Sequence, residues 1–470
     1  MLRCCHCLLA IICLLGLALP ELARGQSVPA KDSSYLVVRN IVIAGNKKTR
    51  TSVILREIRT VPGDTVYLSD LSNTLEATRK QLLNTSLFLS VSANVKNWSG
   101  NEADLVFDVW ERWYTFAFPI VHLADRNFNQ WWVEKNHSFN RINIGVTGIQ
   151  GNLTGRNDAV DAVVQFGYTQ RFALQYNLPY IDKTFRHGVG ITVSYNRNHE
   201  VNDSTSGNKQ QFFRKDEFLR QVYTIGLNYT YRKAINGRHQ VFLNYNFEEV
   251  ADSVAILNPN YLGKGRTRVN FMDLIYRYTY IDADSWVFPL RGFSLMGEIA
   301  KRGIPPFNDI SDIHFRVNAV RYWQLLPKTF AAVGVRGMLK FSNEQPYMNQ
   351  FALGYRDDYL RGLEYYVIDG TAFAILKTTL RQEILSFKFR LPVVPKKFST
   401  VPIRIFAKVF GDGGYVYNKY PGNSFLNNRM LYTGGLGLDI VSFYDTNLRI
   451  EYSFNQLGQK GLFLHASVDM

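Results

Sequence analysis

The sequence predicts an all-β transmembrane barrel of about 16 antiparallel strands, preceded by a small α+β domain. From Tyr114 to Met470, apolar and polar residues alternate, and many runs reach about ten residues, the length of a tilted membrane strand. A soluble β-sandwich also alternates, but its strands average about half that length. Aromatic residues form 14% of the chain, and beyond the N-terminal leader no apolar run is long enough for a membrane helix.

Residues 1–25 have the pattern of a secretory signal peptide. Arg3 precedes an apolar run that ends at Leu19, and the small residues Ala23 and Gly25 mark a cleavage site. A retained membrane anchor is the alternative, but this run is short for a bilayer span. We therefore expect export, followed by a polar linker over residues 26–34.

All four cysteines lie within this leader, and the cleaved chain is therefore expected to contain neither a disulfide nor a thiol nucleophile. The formal net charge is +15, of which the leader contributes +1 through two arginines and one glutamate, so that +14 remains. A basic chain suggests nucleic acid as a partner, but export argues against it, and an anionic membrane surface fits better.

Residues 35–112 show the element order strand, helix, helix, strand, strand. The first strand ends at the turn Gly45-Asn46, and a helix over 51–59 follows. Pro62-Gly63 breaks the chain before a second helix, for which Ser69 is the expected N-cap. A hairpin of two alternating strands completes the segment.

This order resembles a POTRA domain, the periplasmic module of outer-membrane insertases and secretion pores. The matching stretches are Ile43–Asn46, Pro62–Asp64, Phe88–Val91 and Val109–Arg112. A generic α+β domain is the alternative. The resemblance implies that an extended client adds as a strand to an exposed sheet edge.

Residues 113–470 carry the strand pattern of the barrel, for example over Tyr223–Tyr231 and Val241–Phe247, with the hairpin turn Asn236-Gly237 between them. The polar insertion Asn198–Asp216 suits an extracellular loop that is solvated by default.

Two short motifs stand out within the barrel. Leu360-Arg361-Gly362 holds a guanidinium beside a tight turn, and such a group needs an acceptor if it is buried. Phe410-Gly411-Asp412-Gly413-Gly414 offers one, and its glycines would let another backbone approach closely. Either motif alone is more often ordinary turn chemistry.

Together with the POTRA-like segment, these motifs resemble the superfamily that contains BamA and TamA, the outer-membrane assembly factors, and the two-partner secretion transporters. The resemblance implies that a loop near 342–369 folds into the lumen and that Arg361 pairs with the barrel wall near Asp412. Two residues depart from the pattern: Leu363 replaces the usual aromatic residue, and Thr379 stands where relatives often carry Glu. Glu383, further along the same face, is then the second acceptor to consider.

The two closing strands are expected to form a weak seam. The first, Tyr114–Leu123, contains Pro119, which cannot donate to a ladder. Alternatively, Pro119 lies at the membrane boundary, outside the paired region. The final strand, about Gly461–Met470, ends without the aromatic residue common in outer-membrane strands.

The resemblance implies a protein of the outer membrane, with the POTRA domain in the periplasm, that inserts or translocates other proteins. Expected partners are unfolded outer-membrane or secreted clients, membrane lipid and periplasmic accessory proteins, with no nucleic acid. No catalytic motif appears in the sequence, and no cofactor or metal site is expected. A passive porin-like solute channel and an adhesive surface barrel are the rival functions.

Overall fold

The computed structural model describes residues 34–123, 131–132, 136–342, 344–355, 357–390, 400–442 and 447–465. The predicted signal peptide lies outside these residues, as does Met470, the last residue of the predicted final strand. The chain forms two compact units: one contains the described residues up to Trp113 with 154–156, and the other contains 114–153 and the chain from Asn157 onward. No helix in the described part of the chain is long and apolar enough to cross a membrane.

The first unit is a four-stranded sheet with two helices, which confirms the predicted α+β domain. Strands β1 and β4 pair in parallel, the other neighbours are antiparallel, and the spatial order is β2-β1-β4-β3. The elements are β1 Tyr35–Ala44, α1 Thr51–Leu55, β2 Thr65–Tyr67, α2 Leu68–Asn84, β3 Phe88–Ser99 and β4 Glu102–Glu111.

Three local predictions for this unit were wrong. Helix α1 ends at Leu55 rather than Arg59; Ile58 is buried although it lies beyond the helix, so its spacing from Ile54 reflected burial and not helical structure. Strand β2 was not expected. Because β2 stays paired with β1 until Tyr67, helix α2 begins at Leu68 and Ser69 is not its N-cap.

The predicted turns of this unit have clear physical reasons. Gly45 has a φ of +88°, and a Cβ there would lie 2.2 Å from the Val109 carbonyl oxygen. Asn46 Nδ2 donates to the Thr49 carbonyl at 2.9 Å, which closes the loop before α1. Pro62-Gly63 lies in the connection before β2, and Gly63 has a φ of +94°.

The described residues of the second unit form 20 strands, of which 16 make one antiparallel sheet and confirm the predicted barrel. In chain order the strands are β5 Thr115–Leu123, β6 Ile142–Gly151, β7 Ala159–Gly167, β8 Thr169–Leu178, β9 His187–Asn198, β10 Glu200–Ser206, β11 Lys209–Arg214, β12 Arg220–Tyr231, β13 Gly237–Val250, β14 Arg268–Ala283, β15 Gly292–Ile304, β16 Phe307–Leu326, β17 Thr329–Ser342, β18 Phe351–Leu353, β19 Ile368–Asp369, β20 Ala372–Arg390, β21 Thr400–Tyr417, β22 Met430–Val441, β23 Asn447–Asn455 and β24 Lys460–His465. The pairs β10–β11 and β18–β19 are small separate sheets within connections, and helix α3, Asp252–Leu257, lies in another.

Each of the 16 strands pairs with its neighbour in the sheet order, which begins at β5 and ends at β24. Among the described residues, no pairing joins these two strands directly. Pro119 lies within β5 opposite Val146, so the alternative that placed it outside the paired region is wrong.

Burial on the sheet is the reverse of that in a soluble protein. On β20, Leu376 and Leu380 are 43% and 42% exposed. The residues that follow each of them, Lys377 and Arg381, are only 2% and 4% exposed. A strand that shows leucines outward and hides charges inward matches a barrel with a lipid-facing exterior and a polar lumen. The alternation in the sequence thus places the charged side chains inside.

The long connections lie at one end of the barrel strands, and in such barrels the long loops are at the extracellular end. Three of these connections are the third loop, residues 199–219, which contains β10 and β11; the sixth loop, residues 343–371; and the seventh loop, residues 418–429. The third loop is solvated only in part, with residues 214–217 exposed. It folds as a hairpin whose tip residue, Asn208, is 1% exposed and packs against the sixth and seventh loops.

Candidate functional site

The site centres on Arg361, which the sixth loop carries to the inner face of strands β20–β23. Its side chain is fully buried. Gly362 follows with a φ of +84°, a conformation that favours glycine and turns the chain away after the arginine. The sequence Arg-Gly therefore places the guanidinium against the wall while the backbone reverses.

Asp412 on β21 is the main acceptor of Arg361. The Nε of Arg361 donates to Asp412 Oδ2 at 2.8 Å, its backbone N–H donates to the same oxygen at 3.2 Å, and Nη2 donates to Oδ1. The paired side-chain bonds match the planar fork of a guanidinium to a carboxylate. The structure thus brings together the two motifs that the sequence singled out.

The other nitrogens of the guanidinium also donate hydrogen bonds. Its Nη1 donates to Thr379 Oγ1 at 2.9 Å, and Nη2 donates to the Thr378 carbonyl at 3.1 Å. The ring of Phe410 lies below the cation, 4.1 Å from the ring centre to the guanidinium carbon. A buried charge with this many partners is well compensated and fixes the loop in one position.

Glu383 does not act as the second acceptor, and that prediction was wrong. It lies four residues, roughly 13 Å, further along β20 than Thr379 and pairs with Arg404 at 2.5 Å. The shorter Thr379 instead accepts the bond from Arg361 directly. A hydroxyl therefore stands where relatives often carry a carboxylate.

The wall glycines were expected to admit the loop backbone, but the loop atoms nearest to one of them, Gly414, belong to a side chain. A Cβ at Gly414 would lie 2.9 Å from Leu360 Cδ1, so this glycine makes room for the loop. At Gly411 and Gly413 the nearest atoms would be 3.6 and 3.9 Å away, which is ordinary contact. The Phe410–Gly414 motif thus makes room at Gly414 for the Leu360 side chain of the loop.

Other wall residues that hold the loop were not singled out from the sequence. Asn455 Nδ2 on β23 donates to the Gly362 carbonyl at 2.8 Å. Tyr359 accepts a bond from Arg449 at 2.9 Å, and Lys377 lies over the Tyr359 ring at 4.5 Å. The polar positions of the alternating strands marked all three wall residues as lumen-facing, but periodicity carries no information about their partners.

The loop is also held by apolar packing and by a second ionic contact. Leu360 and Leu363 pack against Ile375 of the wall in a buried apolar cluster. Asp358 of the sixth loop lies 2.5 Å from Arg316 Nη1 on β16. The loop thus contacts both β16 and the wall that carries Asp412.

A buried charge network continues along the lumen wall beside the site. Lys408 Nζ lies 2.5 Å from Asp439 Oδ1 and 2.6 Å from Glu451 Oε1, and Arg381 Nε donates to Asp439 at 2.9 Å. Glu451 also faces His465 of β24 at 3.7 Å. The ions of this network offset one another, which is the condition for burying them.

One group in the described chain has ligand atoms close enough to hold a metal ion: Glu364, Glu451 and His465, within 4.8 Å of one another. Lys408 already neutralises Glu451, and Arg449 Nη1 lies 3.8 Å from it. A divalent cation would meet two positive charges there, and we therefore assign no metal to this group.

Two family models match the chain. The model described as POTRA, surface antigen variable number repeat, matches residues 36–112, and the Omp85 superfamily domain matches residues 152–460. A comparison with curated proteins finds no match.

Two solved structures are similar in fold. BamA from Haemophilus ducreyi lacking POTRA domains 1–3 has a TM-score of 0.51 and 16% identity, and the alignment covers 92% of this chain and 83% of that one. CdiB from Escherichia coli has a TM-score of 0.50 and 11% identity, over 95% of this chain and 91% of that one. At these identities the likeness concerns the fold.

Proposed function

This chain belongs to the Omp85 superfamily, and from that premise we propose that it inserts other β-barrel proteins into the outer membrane in the manner of BamA and TamA. Membership supports insertion or translocation of proteins in broad terms. Insertion is the narrower proposal, and it requires a place where a client strand can join the barrel.

The ends of the 16-stranded sheet are the observation that carries the proposal. Among the described residues, β24 pairs with β23 and no pairing joins it to β5, the strand at the opposite end of the sheet order. At the other end, Pro119 removes one backbone donor from the middle of β5. Two end strands without a described pairing between them, one of them interrupted by Pro119, suit a seam that opens to a client strand.

The first domain supplies a second pairing edge. Strand β3, Phe88–Ser99, is at the end of its four-stranded sheet and pairs there with β4. Its 12 residues are long for an edge strand, which makes it a suitable template for an extended client segment. We propose that a client pairs first with β3 and then adds at the barrel seam.

Arg361 has the role of a clamp in this proposal. Its bonds to Asp412 and Thr379 hold the sixth loop against β20 and β21, close to the strands that lead to the seam. Insertion needs no cofactor or catalysis, because the client gains backbone hydrogen bonds and buried apolar surface in the membrane. The clients are unfolded outer-membrane proteins, and the first domain works in the periplasm with accessory proteins.

Translocation through the lumen is the second candidate, and the fold likeness to CdiB is compatible with it. The porin-like channel and the adhesive barrel are weaker candidates. A plain channel needs neither a POTRA domain nor a sixth loop fixed on the inner wall by a fully buried ion pair.

Disulfide locking of the seam tests the proposal. Cysteine pairs would join Phe116 or Phe118 of β5 to Leu462 or Leu464 of β24, and a bridge forms where the Cβ atoms come within about 4.5 Å. The matched control joins Ile225 to Tyr245, which face each other on two interior strands.

We expect the seam bridge to abolish assembly of other barrels, reduction to restore it, and the interior bridge to have no effect. Assembly is measured from the outer-membrane proteome of cells that depend on the variant. If the bridged seam supports assembly as well as the reduced one, insertion is wrong and translocation through the lumen becomes the better account.

A further inference from the structure

Strands β20 and β21 extend beyond both of their neighbours at the end of the barrel opposite the long loops. Strand β17 pairs with β20 only as far as Gln382, and β22 pairs with β21 only from Arg404 onward. Past these points, residues 385–390 of β20 pair with residues 400–405 of β21 and form the β20–β21 ribbon. At this end such barrels usually have short periplasmic turns, so the ribbon is an addition to the common plan.

The ribbon lies beyond the part of β20 that crosses the membrane. Residues Ala372–Gln382, all paired with β17, already supply the about 9–11 residues that a tilted strand needs to span the bilayer. Residues 385–390 add roughly 20 Å of strand, at about 3.3 Å per residue. We therefore expect the ribbon to project from the membrane into the periplasm.

One face of the ribbon is apolar. Side chains alternate between the two faces of a strand, and residues opposite each other in a pair share a face. Leu385, Phe387 and Phe389 share one face and are 50%, 42% and 38% exposed. Their partners across the pair are also apolar: Ile405, Ile403 and Val401. A contiguous apolar face outside the bilayer indicates a surface that another molecule covers.

The other face of the ribbon is positively charged. Lys388 and Arg390 lie there, and both are exposed. Arg404 is on the same face but already pairs with Glu383. In the sequence, residues 383–404 include five basic residues, and Glu383 is the one acidic residue among them. The ribbon therefore favours a partner that carries carboxylates.

The two backbone edges of the ribbon differ. The Pro402 carbonyl accepts from Ser442 Oγ at 3.3 Å, so the backbone of Pro402 points toward β22, and there it has no N–H to donate. Proline thus blocks the β21 edge. On the β20 side, the Glu383 N–H donates to the Lys328 carbonyl at 2.8 Å, and no described strand pairs with residues 384–390 on that side. These residues include no proline, so their edge is open to an added strand.

From these observations we infer that the open edge of β20, residues 384–390, binds an extended segment of a periplasmic protein as an added strand. The segment has apolar residues at alternate positions, which extend the face of Phe387 and Phe389. Acidic residues between them meet Lys388 and Arg390. The inference does not rest on the proposed insertion of other barrels, because β20 is an interior strand of the sheet and not one of its ends.

Two other occupants fit the ribbon less well. Hydrocarbon cannot satisfy the free backbone groups of the β20 edge, so burial of this edge in the bilayer is unfavourable. A second copy of the chain would bring the same positive charges to the edge, and like charges opposite each other destabilise a strand pair.

The test uses the full mature chain in nanodiscs of zwitterionic lipid, and fluorescence anisotropy measures the binding of short labelled peptides. In one peptide valine alternates with glutamate, and in the comparison peptide valine alternates with lysine. Two further versions of the glutamate peptide are N-methylated, one at the valine amides and the other at the glutamate amides. Each removes the donors of one backbone edge and keeps every side chain.

The variants separate the charge of the ribbon from its apolar face. Lys388→Glu with Arg390→Glu reverses the charge, and Phe387→Ser removes an apolar side chain. The matched control is Lys183→Glu with Arg186→Glu, the same charge change at exposed residues of another connection at this end of the barrel. Retained faster migration of the unboiled protein on a detergent gel shows that each variant is folded.

We expect the glutamate peptide to bind and to slow hydrogen exchange of residues 384–390. The lysine peptide, one of the two N-methylated peptides and both ribbon variants should each bind about tenfold more weakly, and the control variant should bind as wild type does.

Three results would overturn the inference. One is no binding of the glutamate peptide at millimolar concentration. Another is binding that neither N-methylated peptide loses, because the edge would then not pair. The third is slower exchange of residues 384–390 when phosphatidylglycerol is added to the nanodiscs, without any such effect of the peptide, which would assign the ribbon to the membrane surface.

Discussion

Arg361 and Asp412 are 51 residues apart in sequence and meet through three hydrogen bonds, with both side chains fully removed from solvent. Such a pair contributes little over a neutral, well-packed alternative, but removing one partner leaves a buried charge without compensation. The pair therefore acts mainly to keep the sixth loop in one place. This property can be tested with single and double substitutions.

We expect Arg361→Ala to release the sixth loop and to lower assembly activity, at a cost of about 3–5 kcal/mol in the stability of the docked loop. Asp412→Asn should have a similar effect, and the double variant should lose less than the sum of the two. Hydrogen exchange of residues 357–371 measures the docking. Arg404→Ala is the control: the Arg404 side chain is 40% exposed in its pair with Glu383, and its loss should have little effect. Fully additive losses in the double variant would show that Arg361 and Asp412 do not share one interaction.

Thr379 should matter for its hydroxyl and not for its size. Thr379→Val keeps the shape but removes the acceptor for Arg361 Nη1, a bond to a charged group that is worth about 1.5–3 kcal/mol. Thr379→Ser keeps the acceptor and should stay close to wild type. Hydrogen exchange of residues 357–371 compares the two variants. Equal effects of Thr379→Val and Thr379→Ser would show that packing, not the hydrogen bond, holds the loop at this position.

Gly362 should be less tolerant of substitution than another glycine with a similar backbone. Gly362 and Gly458 have φ values of +84° and +76°, so Ala strains both by about 1 kcal/mol. At Gly362 the added Cβ would also lie 2.9 Å from Ser453 Cβ, whereas nothing lies within 4 Å at Gly458. Thermal unfolding should show a clearly larger loss for Gly362→Ala, and equal losses would mean that the loop moves away from β23 without cost.

Glu111 should make the first domain sensitive to acid. Burial opposes its charge, but hydrogen bonds from the Thr49 side chain and from the backbone of Thr49, Lys48 and Lys47 outweigh burial and hold the pKa of Glu111 below its ordinary value of 4.5. A lowered folded-state pKa stabilises the domain above pH 4.5, and this stability is lost as the pH falls through the folded-state pKa. Protection of the Lys48 and Thr49 amides, measured relative to their intrinsic exchange rate at each pH, should therefore fall below about pH 4.5.

The matched variants are Glu111→Gln and Glu102→Gln, the second at an exposed position in the same strand. In Glu111→Gln, the Lys48 and Thr49 amides should exchange faster at neutral pH and should no longer lose protection in acid. In Glu102→Gln, the loss of protection in acid should remain. An unchanged loss of protection in Glu111→Gln would assign it to another carboxylate.

The sequence determined the architecture, because every strand of a membrane barrel repeats the same two-residue pattern. The alternation in β20 fixed which side chains face lipid, and the turn residues Gly45 and Gly63 fixed where the first domain reverses. The motifs Leu360–Gly362 and Phe410–Gly414 were visible in the sequence for a related reason, since each combines a charge with a glycine next to it.

The hydrogen-bond partners of individual side chains could not be predicted from the sequence. Thr379 and not Glu383 accepts from Arg361, because a difference of four residues along a strand is a distance of roughly 13 Å that only the register of β20 with β21 can resolve. Asn208, at the tip of the third loop, is buried for the same reason. Asn208 is satisfied by backbone groups more than 150 residues away, and no local property of the sequence reports such contacts. Local pattern sets which face a residue occupies, whereas the packing of distant segments decides what it meets there.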